Sequence, residues 1–171
     1  MSAATPALRH FLACALELEA EAGERYRELA VALEAHNNDD VAGFFLRMAA
    51  EAENHRQEVA ELARGLELPE LPAWEFDWPD DEPPETASYE AVHYRMTLRE
   101  ALELALANER AAGAYYAGVA ARTSDEETAR LAASFAAEEA EHEAALMAWL
   151  AELPATGGLH RIDDDDPVMP A

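Results

Sequence analysis

The sequence predicts an all-α protein: one four-helix bundle with a long connection in its middle. Three observations carry that expectation. Alanine, leucine and glutamate fill four long stretches without internal proline. Start and stop signals bound each stretch. Within them, apolar residues recur at alternating steps of four and three, the period of a helix face turned towards partners. With 171 residues, half of them apolar, the chain can bury one sizeable core and is short for two ordinary domains.

The first helix begins at Thr5-Pro6, a capping hydroxyl followed by proline where the backbone N–H is not needed, and runs to about His36. Asn38 caps the second, which ends at Gly65. Helix three opens at Thr97-x-x-Glu100 and helix four at Ser124-x-x-Glu127, both with the pattern of a capping box. Leu153-Pro154 and Gly157-Gly158 stop the last helix, so the bundle spans 1–153. Between helices two and three, about residues 66–96, proline, acids and aromatics replace the helical pattern. That length suits a crossover from one end of the bundle to the other, with Trp74, Phe76 and Trp78 as anchors against the helices. Residues 154–171, with aspartates at 163 to 166, read as an acidic, solvated tail.

Charge excludes two classes of partner. With 36 acidic against 12 basic residues, a formal charge of −24 repels nucleic-acid phosphates and anionic lipid. The N-terminal stretch has no signal-peptide pattern and no apolar run reaches the ~18 residues of a membrane span, so the expected location is the cytoplasm. The single cysteine, Cys14, reads as a small apolar packer and excludes a CxxC metal knuckle. Any metal chemistry must therefore use carboxylates and imidazoles. His10, His36, His93 and His160 fall at helix ends or in loops, where exposure is expected.

The helix stripes show where those groups lie. Helix one gives Leu8, Leu12, Ala15, Glu19, Ala22, Tyr26, Leu29 and Leu33; helix three gives Leu98, Leu102, Ala105, Glu109, Ala112, Tyr116 and Val119. Helix two runs Val41, Phe45, Met48, Ala52, His55, Val59, Leu62, and helix four Thr128, Ala132, Phe135, Glu139, His142, Leu146, Trp149, Leu153. The polar break sits near the middle of every stripe, and the second helix pair repeats the first. Taken singly, a buried Glu is explained by protonation or an arginine partner, and a core His by a hydrogen bond. Three carboxylates and two imidazoles converging from four helices instead ask for a neutralising cation, because each ionised carboxylate buried alone costs several kcal/mol. Such oxygen and nitrogen donors suit iron, manganese or zinc.

These residues resemble the rubrerythrin-like branch of the ferritin-like superfamily, whose pattern is a glutamate seven before a tyrosine, then Glu-x-x-His, both repeated. The match covers about residues 7–153 and rests on Glu19 with Tyr26, Glu109 with Tyr116, and Glu139 with His142. The resemblance implies a ferritin-like bundle, iron as the metal, one or two ions, and redox chemistry on dioxygen, peroxide or ferrous iron. It implies Glu19 and His55 at one metal position, Glu109 and His142 at the other, and Glu139 between them. Tyr26 and Tyr116 are candidates to hydrogen-bond the metal carboxylates from outside, or else core filler.

One departure stands out: the pattern wants a glutamate three residues before His55, and this chain has Ala52. Glu51 and Glu53 point about 100° of helix rotation to either side of that place. Three outcomes stay open at this stage: a pair of metals completed by water or hydroxide, a single metal or zinc with little turnover, or a pocket beside the metal that admits a small substrate. A non-catalytic metal binder and a purely structural bundle remain alternatives to an oxidoreductase. No cysteine-rich electron-transfer module accompanies the bundle, so electrons are expected from an external donor. A homodimer is the expected assembly.

Overall fold

The computed structural model describes residues 4–76, 78–79, 83–85 and 93–155. Its helices are α1 (Pro6–Ala35), α2 (Asp39–Leu62), α3 (Leu98–Arg122) and α4 (Glu126–Glu152), with one 3-10 turn at Ala73–Glu75. The chain is an all-α four-helix bundle, as the stripes predict.

Local chemistry explains the boundaries. The Thr5 hydroxyl accepts from the Leu8 N–H ahead of Pro6, and Thr97 and Glu100 form a complete capping box on α3. Two expectations are corrected. Asp125, not Ser124, caps α4: its carboxylate accepts from the Thr128 N–H at 2.9 Å and the Thr128 hydroxyl at 2.6 Å. Asn38 does precede α2 but makes no side-chain cap. Its Nδ2 instead donates to the carbonyls of Tyr94 (3.2 Å) and Met96 (2.8 Å). The turn after α2 uses Gly65 at φ 77°, where a side chain would be strained.

That Asn38 contact fixes the topology. It brings the start of α3 beside the start of α2, so the two helices run parallel and the crossover must travel the length of the bundle. Arg99, near the start of α3, likewise donates to the carbonyls of Leu150, Leu153 and Pro154 at the end of α4. The bundle is thus two antiparallel hairpins, α1–α2 and α3–α4, laid against each other.

Every stripe residue of α1 is buried. On the other helices most are, but Leu62 is exposed, and Leu98, Val119, Phe135, Trp149, Leu153 and the two histidines are only partly buried. The apolar interior falls into two clusters. One contains Ala22, Leu33, Phe45, Ala52, Leu102 and Leu146; the other contains Leu12, Leu18, Val59, Ala112, Tyr116 and Ala132. Burial of each large side chain in them contributes ~1.5–3 kcal/mol. The boundary between the clusters crosses α1 between 18 and 22, α2 between 52 and 59, α3 between 106 and 112, and α4 between 132 and 146. The polar break of each stripe lies in that gap, so the polar groups form a layer with an apolar floor and ceiling.

Phe76 and Trp78 anchor the crossover: their rings stack at 5.2 Å, and Trp78 meets Tyr115 of α3 edge-on at 5.2 Å. Trp74, the third expected anchor, is 84% exposed. Cys14 is buried, as a small packer should be, with its sulfur 3.6 Å from His10 Nε2. His36 and His93 are exposed. His160, the paired glycines and the aspartate run lie outside the described residues. No helix among the described residues is long and apolar enough to cross a membrane.

Candidate metal centre

Glu19, Glu109 and Glu139 are each 3% exposed, held in the polar layer by the helix period that buries their neighbours. The structure brings them together with both histidines. His55 Nδ1 lies 3.7 Å from Glu19 Oε2; His142 Nδ1 lies 3.4 Å from Glu109 Oε2 and 3.3 Å from Glu139 Oε2. The two imidazoles stack almost parallel, 4.7 Å apart.

A fourth carboxylate completes the layer, and it comes from no helix. Glu85, in the crossover, is 4% exposed. One oxygen from each of Glu19, Glu85 and Glu139 lies within 4.8 Å of the others, and so do donor atoms of His55, Glu139 and His142. Glu139 therefore belongs to both groups. Sequence reasoning missed Glu85 because the crossover has no period to reveal which side chain turns inward. The only signal was indirect: a vacancy at Ala52 beside a connection rich in acids.

Protonation follows from burial. Removal from water raises Glu19, with His55 opposing, and pushes Glu109 up to about 8 despite the help of His142. Burial raises Glu85 well above the usual carboxylate range, and the charges of Glu19, Glu109 and Glu139 raise it further. Glu139 is the exception. Burial acts on it too, but hydrogen bonds from His142 and Glu109 outweigh it and hold the acid below its ordinary value. The adjoining carboxylates of Glu109 and then Glu139 lift His142 to about 10, and that of Glu19 raises His55. Without a cation, protons neutralise this layer.

Protons leave it incompletely satisfied. Glu19 Oε2, Glu85 Oε2, Glu109 Oε2 and the Tyr116 hydroxyl are buried without a well-formed hydrogen bond among the described residues, the imidazoles standing 3.7 Å from Glu19 Oε2 and 3.4 Å from Glu109 Oε2. Each such group costs about 1–3 kcal/mol, and more if charged. All four belong to this layer. Between Glu19, His55, Tyr116 and Glu139 lies a cleft of about 20 Å³, room for one water or a small ion. Carboxylates and imidazoles around orphaned oxygens and a void of that size fit first-row divalent metals. On the other side, a surface pocket of about 220 Å³ reaches Glu109 and His142, lined also by Arg47, Glu51 and Trp149.

Tyr26 is buried, and its hydroxyl accepts from Asn108 Nδ2 at 3.0 Å. Burial raises both tyrosines well above their ordinary value, and the charges of Glu19, Glu139 and Glu85 raise Tyr116 further.

A family model for rubrerythrin matches residues 10–150, a span that takes in all but the outer ends of the four helices and every residue of this layer. The chain belongs to the rubrerythrin family. An uncharacterized conserved protein from Magnetospirillum magnetotacticum MS-1, known from its crystal structure, is 46% identical, with a TM-score of 0.66 over 86% of this chain and 96% of that one. Comparison with curated proteins found no match. Family membership fits the ferritin-like bundle and the carboxylate and histidine donors described above.

Proposed function

We propose that this rubrerythrin-family chain binds iron, one or two ions, between its hairpins and uses it for redox chemistry on dioxygen, peroxide or ferrous iron. The observation that carries the reading is the polar layer itself: two donor groups that share Glu139, with orphaned carboxylate oxygens inside them. Glu19, His55, Glu109, Glu139 and His142 are the proposed ligands, with manganese or zinc as the other ions this donor set suits. Bound iron would supply the electron transfer. The chain's own part is to hold and release protons and to keep water out. Burial of Glu109 and the carboxylates beside His142 favour their protonated forms, so loading with metal would move protons outward. The two apolar clusters seal the layer above and below, and the pocket by Arg47 and Trp149 gives a small oxidant or an external electron donor a route to Glu109 and His142.

Tyr26 and Tyr116 are proposed to orient the carboxylates from outside. The assembly is proposed to be a homodimer, to be measured by sedimentation. A second reading, a metal binder with little turnover, is favoured by one observation: Ala52, 2% exposed, offers no donor from α2. One experiment separates the two. Protein loaded anaerobically with ferrous iron is assayed for oxidation of added ferrous iron and for peroxide consumption against free iron. Faster turnover than free iron, lost in Glu139→Ala, supports the redox reading; tight iron binding without turnover supports the second.

A further inference from the structure

The two halves of the bundle are built alike down to a glycine. Gly23 and Gly113 each follow the helix glutamate, Glu19 or Glu109, by four residues. A Cβ placed on Gly113 would lie 3.3 Å from the Cβ of Glu139, and one placed on Gly23 would lie 3.7 Å from the Cβ of Ala52. Position 52 therefore faces the polar layer from α2 where Glu139 faces it from α4, yet it carries a methyl group. The α1–α2 half is one carboxylate short.

Glu85 arrives in the same layer from the crossover. Its Oε2 is buried and unpartnered among the described residues, and its carboxylate lies with those of Glu19 and Glu139 within 4.8 Å. The charges that act on it most are all negative, those of Glu19, Glu109 and Glu139 foremost. An acid placed so is costly by several kcal/mol unless a cation joins it. We infer that Glu85 is a metal ligand carried by the crossover, standing in for the carboxylate that Ala52 does not provide.

The inference rests on the metal-centre reading and sharpens its stoichiometry. Glu19, Glu85, Glu109 and Glu139 together carry four negative charges when ionised, which balance two divalent cations; without Glu85 one positive charge is left over. Oxygen-rich coordination of this kind takes ferrous iron or manganese.

The test measures metal per chain by elemental analysis after anaerobic loading with ferrous iron and desalting, together with thermal melts of the metal-free and loaded forms. Wild type should hold about two ions per chain and Glu85→Gln about one. The metal-dependent rise in Tm should shrink in the variant, because less of the folded state is captured by ligand. Metal-free Glu85→Gln should be at least as stable as wild type, since it no longer buries an acid among acids. A purely structural role predicts the reverse, a weakened metal-free protein that still loads fully. Ala52→Glu added to Glu85→Gln should restore the second ion, whereas Glu70→Gln, an exposed crossover acid, should change nothing. Full loading of Glu85→Gln, a destabilised metal-free variant, or failure of Ala52→Glu to repair the loss would each overturn the assignment. Wild type that takes up no iron would overturn the metal-centre reading itself.

Discussion

The paired tyrosines offer a test of the polar layer that needs no metal. Tyr116 and Tyr26 occupy equivalent places in the two halves, 1% and 0% exposed, but their hydroxyls differ. Tyr116 has no hydrogen-bond partner among the described residues, whereas Tyr26 accepts from the amide of Asn108, itself 7% exposed. Tyr116→Phe removes an unsatisfied hydroxyl, which recovers about 1 kcal/mol of the 1–3 kcal/mol that such a group costs. Tyr26→Phe leaves the Asn108 N–H stranded and costs about 1–3 kcal/mol. At this chain length each kcal/mol moves Tm by about 2–4 °C. Melts followed by circular dichroism in chelator should therefore show Tyr116→Phe above wild type by a few degrees and Tyr26→Phe below it. Shifts of the same sign would refute the reasoning, because the same atom is deleted at matched positions and only its partner differs.

Further outcomes follow from the same structure. Glu109 and His142 both bind protons more tightly folded than unfolded, so metal-free stability should fall as pH rises, from 4.5 towards about 8 through Glu109 and from 6.5 towards about 10 through His142. Metal displaces those protons, so the Tm gain on loading should grow over the same range; melts with and without chelator across that range check both signs. Asp125→Ala should cost about 1 kcal/mol in chemical denaturation, while Ser124→Ala should be nearly neutral, because Asp125 makes the cap. Asn38→Ala removes the bonds to the Tyr94 and Met96 carbonyls. It should cost about 1–2 kcal/mol and speed proteolysis near the start of α3, with metal content unchanged.

What could be read from sequence is what repeats. A bundle core is periodic, so the stripes located Glu19, Glu109 and Glu139 at buried positions and the capping pattern located the start of α3. Errors arose where periodicity gave no guidance. Ser124 and Asp125 are adjacent capping residues, and choosing between them depends on backbone angles that the letters do not carry. Trp74 was expected to anchor by its hydrophobicity, but the 3-10 turn holds it outward while Phe76 and Trp78 pack. Glu85 was invisible for a deeper reason. Its burial depends on the route the crossover takes across the finished bundle, which only contacts between distant residues determine.

The matched glycines, tyrosines and stripes give the bundle an approximate two-fold axis, and the donors are distributed unequally about it. Helices α3 and α4 keep a complete set of donors, Glu109, Glu139 and His142, whereas α1 and α2 keep Glu19 and His55. Two copies of the second hairpin, related by that axis, would present four carboxylates and two imidazoles with no help from a connecting segment. With Glu85 as a ligand, the connection between the hairpins becomes part of the site, and the two halves are not free to exchange or separate. The crossover, ordinarily the part of a bundle most tolerant of insertion, would then be held to a fixed length by its place in the site.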